Sequence, residues 1–136
     1  MSNLKSGSAN ATQVRWSEMT PDRPLPLIER RRLMGDRMMV SHVTLERGFK
    51  VDVHKHENEQ ITCVISGAFR FWIGDQSSPD RRETIVRAGD AILFPANVPH
   101  GGEALETTVI LDLFSPPSQA TGVDSKPASE RSAIQH

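Results

Sequence analysis

Two glycine-bounded phrases carrying histidines constrain this chain more than anything else in it. The first reads Gly48, five residues, His54-Lys55-His56, three residues, Gln60, six residues, Gly67. The second reads Gly89, five residues, Pro95, Asn97, two residues, His100. Histidines at i and i+2 of an extended strand project from the same face, so both imidazoles can reach one point. A third histidine and an amide from elsewhere would close a mononuclear metal site with N and O ligands. The glycines and prolines fall where tight strand-to-strand turns are needed. The spacing predicts a metal pocket inside a small β-barrel.

The 136 residues allow one domain with a sizeable core, not two. A formal net charge of −1 provides no electrostatic footprint for nucleic acid or an anionic membrane. Arg30-Arg31-Arg32 with Arg37 is a basic cluster, but Glu29 and Asp36 flank it, and it reads as a solvated face or strand entry. Cys63 is the only cysteine, so no intrachain disulfide can form, which suits a reducing compartment. The stretch from Met1 to Ala11 lacks an apolar h-region, so neither a signal peptide nor a membrane span is expected and a cytoplasmic location is.

Residues 1–28, with Pro21, Pro24 and Pro26, read as an extended or flexible arm. Residues 118–136, following Pro116-Pro117, read as a flexible tail without a periodic apolar face. Between them, short β-rich runs end at turn signals: Met38–Arg47 at Gly48, Ile61–Ser66 at Gly67, Phe69–Ile73 at Gly74-Asp75. Thr84–Arg87, Ala91–Phe94 and Thr107–Phe114 follow the same pattern, and no segment carries a sustained 3.6-residue stripe. The expected fold is all-β, a single jelly-roll-like barrel over residues 29–117.

The ligand candidates are His54, His56, His100 and the less usual Gln60, whereas His42 lies in an apolar strand and His136 in the tail, both outside the constellation. Three neutral imidazoles and a neutral amide leave a divalent charge uncompensated, which makes a Lewis acid suited to anionic substrates or enolate-like transition states. Asp112 interrupts the apolar run Ile110-Leu111-Asp112-Leu113-Phe114. A carboxylate there needs a partner or a raised pKa. Alternation puts Asp112 and Phe114 on one face, as an acid/base group with an aromatic wall or as the outward face of the strand. Cys63 has the parity of Ile61 and Ile65, opposite to Gln60, and reads as core rather than nucleophile.

These residues resemble the cupin superfamily. Its first motif, Gly-x5-His-x-His-x3-Glu-x6-Gly, is matched by Gly48, His54, His56 and Gly67, with Gln60 in the glutamate's place. Its second, Gly-x5-Pro-x-Gly-x2-His-x3-Asn, is matched by Gly89, Pro95 and His100, with Asn97 for the glycine and Ala104 for the asparagine. A narrower likeness runs through His54-Lys-His-Glu-Asn-Glu-Gln60, Pro95-Ala-Asn-Val-Pro-His100-Gly and Leu111-Asp-Leu-Phe-Ser-Pro-Pro117. In these segments the chain is similar to the small KdgF-type cupins of pectin and alginate catabolism.

That resemblance implies a double-stranded β-helix and one divalent transition metal (Ni, Fe, Mn, Co or Zn) on His54, His56, Gln60 and His100. It places Asp112 and Phe114 in the active site. The implied reaction converts 4,5-unsaturated uronate monosaccharides into linear 4-deoxy-5-hexosulose uronate, so the partner is a small anionic sugar acid and the assembly a homodimer. The group carries an arginine shortly after the Ser-Pro sequence, where this chain has Ser118. Loss of that residue removes a bidentate clamp for a carboxylate. Arg70, between Phe69 and Phe71, is a candidate substitute; its ordinary reading is an exposed strand arginine. Two rival activities use the same residues: dioxygen chemistry on a three-histidine iron, and non-catalytic binding of a sugar acid or metal. Metal-dependent cupin lyases acting on sulfonium substrates use a tyrosine base, and this chain has no tyrosine.

Overall fold

The computed structural model describes residues 3–5, as backbone, and residues 10–118. The expected tail beyond Ser118, with His136, and part of the expected arm lie outside the described residues. The described residues form ten strands: β1 (Asn3–Lys5), β2 (Ile28–Met34), β3 (Met39–Leu45), β4 (Lys50–His54), β5 (Glu59–Ser66), β6 (Ala68–Ile73), β7 (Arg82–Arg87), β8 (Ala91–Phe94), β9 (His100–Ala104) and β10 (Thr108–Ser115). The described residues form no helix beyond a 3-10 turn at Trp16–Glu18, and none long and apolar enough to cross a membrane.

The strands form a six-stranded sheet in the order β1-β2-β3-β10-β5-β8 and a four-stranded sheet in the order β4-β9-β6-β7. All pairings are antiparallel except β1 with β2. This is the jelly-roll arrangement expected from the short strands and frequent turns. The inner faces meet over Val43, Leu45, Phe49, Val64, Phe69, Phe71, Phe94 and Ile110, all buried. Removing side chains of this size from water stabilises the fold by roughly 1.5–3 kcal/mol each.

Turn chemistry follows the sequence closely. Gly67 joins β5 to β6 at φ 90°, and a Cβ there would lie 2.4 Å from the Thr107 carbonyl oxygen. Only glycine fits such a position. Asn97, at φ 63°, occupies the left-handed conformation that asparagine tolerates better than other side-chain-bearing residues.

Two expectations are overturned. Strand β2 alternates strictly, burying Ile28, Arg30, Arg32 and Met34, so two of the three consecutive arginines point inward rather than onto a solvated face. Their charge is met by Asp22, which bridges to Arg30 along the edge of β2. Cys63 does share the parity of Ile61 and Ile65, but that parity faces outward: Ile61 and Ile65 are exposed, Cys63 is half-buried, and Gln60, Thr62 and Val64 face the interior. The interior is polar at one end, which reverses the usual apolar-in assignment. Arg70 points away from buried Phe69 and Phe71, and pairs with Glu103 on β9 at 3.0 Å.

Candidate metal centre and its surroundings

His54 is the last residue of β4, His56 follows in the loop, and His100 opens β9 directly opposite His54. One ring nitrogen from each of the three lies within 4.8 Å of the others, a cluster that could hold a metal ion. Because β4 stops at His54, strand alternation aims only the first imidazole, and the loop brings in the second.

Backbone carbonyls set the tautomers. His54 Nδ1 donates to the Asp52 carbonyl at 2.8 Å, His56 Nδ1 to Asn58 at 3.0 Å and His100 Nδ1 to Val98 at 2.9 Å. A carbonyl oxygen only accepts, so each neutral ring carries its proton on Nδ1 and keeps a lone pair on Nε2. Burial drives the His100 pKa down to about 3, with the neighbouring His54 and His56 adding to the shift and the Val98 carbonyl opposing it. His100 is therefore neutral near pH 7. Its ring stacks on Phe94 at 4.2 Å between centroids.

Gln60 completes the arrangement from β5. Its amide nitrogen donates to Thr62 Oγ1 at 3.0 Å and to Asp112 Oδ1 at 3.3 Å. Those partners turn Oε1 toward the histidines, 3.1 Å from the Nε2 atoms of both His56 and His100. Lone pairs of three acceptor atoms thus face one another without a proton between them. That contact is unfavourable on its own and favourable around a cation, so this donor set fits a divalent transition ion with nitrogen and oxygen ligands.

Asp112 lies on β10, between Ser41 of β3 and Thr62 of β5 in the sheet register. The residue retains some exposed surface, but its carboxyl group accepts from Thr62 and Gln60 inside the barrel. Burial pushes its pKa up to about 6, and the hydrogen bonds from Thr62 and Gln60 hold it from rising further. The charge of a cation in the histidine cluster would lower it. Phe114, buried one alternation along the strand, presents its ring edge-on to His56 with centroids 5.9 Å apart.

A cavity of about 50 Å³, lined by His54, Gln60, His100, Asp112 and Phe114, continues to Ser41 and Arg30. That is room for roughly four waters. His42, expected to stand apart, projects from the opposite face of β3 and stacks on Trp16. Arg30, Ser41 and Thr62 were missed. Their signal is parity alone: Arg30 alternates with Ile28, Ser41 with Val43, and Thr62 with Gln60.

Comparison with known proteins agrees with this architecture. No curated protein sequence matches the chain. Among solved structures, KdgF from Halomonas sp. is 28% identical with a TM-score of 0.70, covering 81% of this chain and 97% of its own. An RmlC-like cupin from Shewanella frigidimarina NCIMB 400 is 21% identical with a TM-score of 0.71, covering 81% and 95%. Oxalate decarboxylase from Bacillus subtilis, in an S161A mutant, is 21% identical with a TM-score of 0.71 and covers 85% of this chain, which spans 32% of that longer protein. At that identity the last two show the fold alone. The family profile described as Cupin domain matches residues 41–114, more than half of the sequence, and the chain belongs to the cupin family.

Proposed function

We propose that this cupin is a metal-dependent enzyme converting 4,5-unsaturated uronate monosaccharides into linear 4-deoxy-5-hexosulose uronate. The observation that carries the proposal is the Gln60 amide, held between Asp112 and the histidine nitrogens, because it joins an acid/base group to a cation site through one side chain. The 28% identity to KdgF from Halomonas sp. supports the same choice of substrate. A divalent ion on His54, His56, Gln60 and His100 would supply Lewis acidity toward substrate oxygens, and several first-row metals suit such a set.

The chain's own residues account for the proton movements. The substrate is a cyclic enol ether with a C4–C5 double bond. Loss of the C1 hydroxyl proton and cleavage of the bond from C1 to the ring oxygen yield an aldehyde and a C5 enolate. Protonation at C4 then yields the C5 ketone, with no net change in atoms. Asp112, whose carboxyl lies inside the barrel beside the Gln60 amide, is suited to take up the released proton and deliver it to C4. Phe114 packs against His56 and helps exclude water from that transfer. Exposed Ile61, Ile65 and Leu93 on the outer sheet face support a homodimer, and a lone half-buried Cys63 suits a cytoplasmic protein.

The test follows loss of double-bond absorbance with 4,5-unsaturated galacturonate on metal-replete protein, against the spontaneous rate. His54→Ala should lose metal and rate together. Asp112→Asn should keep metal and lose at least about 100-fold in kcat. No metal-dependent acceleration in the unaltered protein refutes the activity, and full activity in Asp112→Asn removes that residue from the mechanism. Oxygen consumption by the Fe(II)-loaded protein would move the assignment to a dioxygenase; tight sugar-acid binding without product would move it to a binding protein.

A further inference from the structure

We infer that Ser41 and Arg30 form a carboxylate-binding corner of this cavity, supplying from β2 and β3 the anion recognition that Ser118 cannot. The inference rests on the uronate reading above and specifies which group of the substrate is held where.

Ser41 is 2% exposed, lines the cavity, and its hydroxyl has no hydrogen-bond partner among the described residues. A buried hydroxyl in that state costs about 1–3 kcal/mol unless something occupies the space beside it. It stands directly across from Asp112 in the β3–β10 register, a spacing of about 5 Å between Cα atoms. Arg30, 3% exposed, lines the same cavity from the adjoining strand. Asp22 accepts from its Nε at 3.2 Å and its Nη2 at 2.8 Å, which fixes the plane of the guanidinium. Arg32 reaches the same carboxylate at 3.4 Å, so two buried guanidiniums share Asp22.

A fixed cation and an unsatisfied hydroxyl in one cavity wall match the two oxygens of a carboxylate, which accepts from both. In a 4,5-unsaturated uronate the carboxylate is bonded to C5, beside the C4 that must be protonated. Holding the carboxylate at Ser41 therefore brings C4 to Asp112 on the neighbouring strand. The cavity has room for this end of the sugar, while the rest of the ring would lie toward the histidines.

Isothermal titration of metal-loaded protein with saturated galacturonate and with galactose, its neutral analogue, isolates carboxylate recognition from turnover. The unaltered protein should prefer galacturonate by at least about 10-fold. Ser41→Ala, which removes only the hydroxyl, should weaken galacturonate by about 10-fold and leave galactose unchanged. Arg30→Lys keeps a cation but loses the fork, and should reduce the preference as well. Its circular dichroism and melting temperature separate misfolding from lost recognition. An unchanged preference in Ser41→Ala, or no galacturonate binding by the unaltered protein, overturns the inference. Turnover with an unaltered KM in Ser41→Ala would sink this corner but leave the activity standing. Carboxylate preference without turnover would do the reverse.

Discussion

Replacing Gln60 by glutamate would restore the residue usual at this point of the family motif, yet it should destabilise this protein in the absence of metal. The Gln60 amide nitrogen lies 3.3 Å from Asp112 Oδ1 and donates to it. In Gln60→Glu a carboxylate oxygen takes that place, so an attractive contact becomes a repulsive one. Two unit charges 3.3 Å apart at an effective dielectric near 20 repel by about 5 kcal/mol, an upper limit. The pair escapes part of it by retaining a proton, as buried carboxylate pairs do. Burial already raises the Asp112 pKa to about 6, so the shared proton would be held to still higher pH.

A folded-state pKa raised above the unfolded value confers stability that is present at low pH and lost as pH rises through the folded value. The variant should thus lie within ~1 kcal/mol of the unaltered protein near pH 5 and fall short by ~3 kcal/mol near pH 8. For a chain of this length the second figure corresponds to a Tm drop of roughly 10 °C. Thermal melts in chelator at the two pH values measure it, and added divalent metal should close the gap, because the new carboxylate becomes a ligand. A pH-independent difference, or equal stability of the chelated proteins near pH 8, would refute the placement of Asp112 against Gln60.

Other perturbations probe the frame around the centre. Divalent metal at about 100 times its Kd should stabilise the unaltered protein by roughly 2.7 kcal/mol, and His100→Ala should abolish that increment in a thermal-shift titration. Gly102→Ala would set a Cβ 2.2 Å from the Arg70 carbonyl oxygen. With β9 held between β4 and β6, the loss should exceed about 3 kcal/mol, and soluble yield or denaturant midpoint reports it. Burial alone would raise the Asp22 carboxyl, but the hydrogen bonds and charge of Arg30, with Arg32, outweigh it and hold the pKa below its ordinary 3.8. The resulting stability is present above 3.8 and lost as pH falls through the depressed value. Asp22→Asn should therefore be less stable near neutrality, with a difference that narrows during acid unfolding.

The histidine spacing was legible because it encodes a distance: residues near a strand end, returned by glycine and proline turns, have few places to go. Asp112 and Phe114 were legible through period-two parity in an otherwise apolar strand. The face of each strand was harder to read. Parity relates Gln60 to Thr62, and Ile61 to Cys63, but not to the inside, and the polar set faces inward here. Arg30 and Arg32 misled for the same reason, since charged residues seldom enter a core without a partner, and Asp22 lies on a segment that does not announce itself as part of the sheet. Strand β9 was hidden by Gly101-Gly102, poor strand formers required by the backbones of β4 and β6 passing close by.

The position of β10 bears on how the protein is made. It is the last described strand in the chain, yet it runs through the middle of the larger sheet, hydrogen-bonded to β3 on one side and β5 on the other. During synthesis both neighbours wait with open edges until residues Thr108–Ser115 have emerged. The barrel then closes through contacts distant in sequence, a slow topology in which unpaired edges are exposed to other chains. Asp112 arrives on that closing strand. An incomplete chain consequently holds the histidine phrases without the carboxylate that stands beside them in the finished barrel, and the cavity is complete only when the fold is sealed.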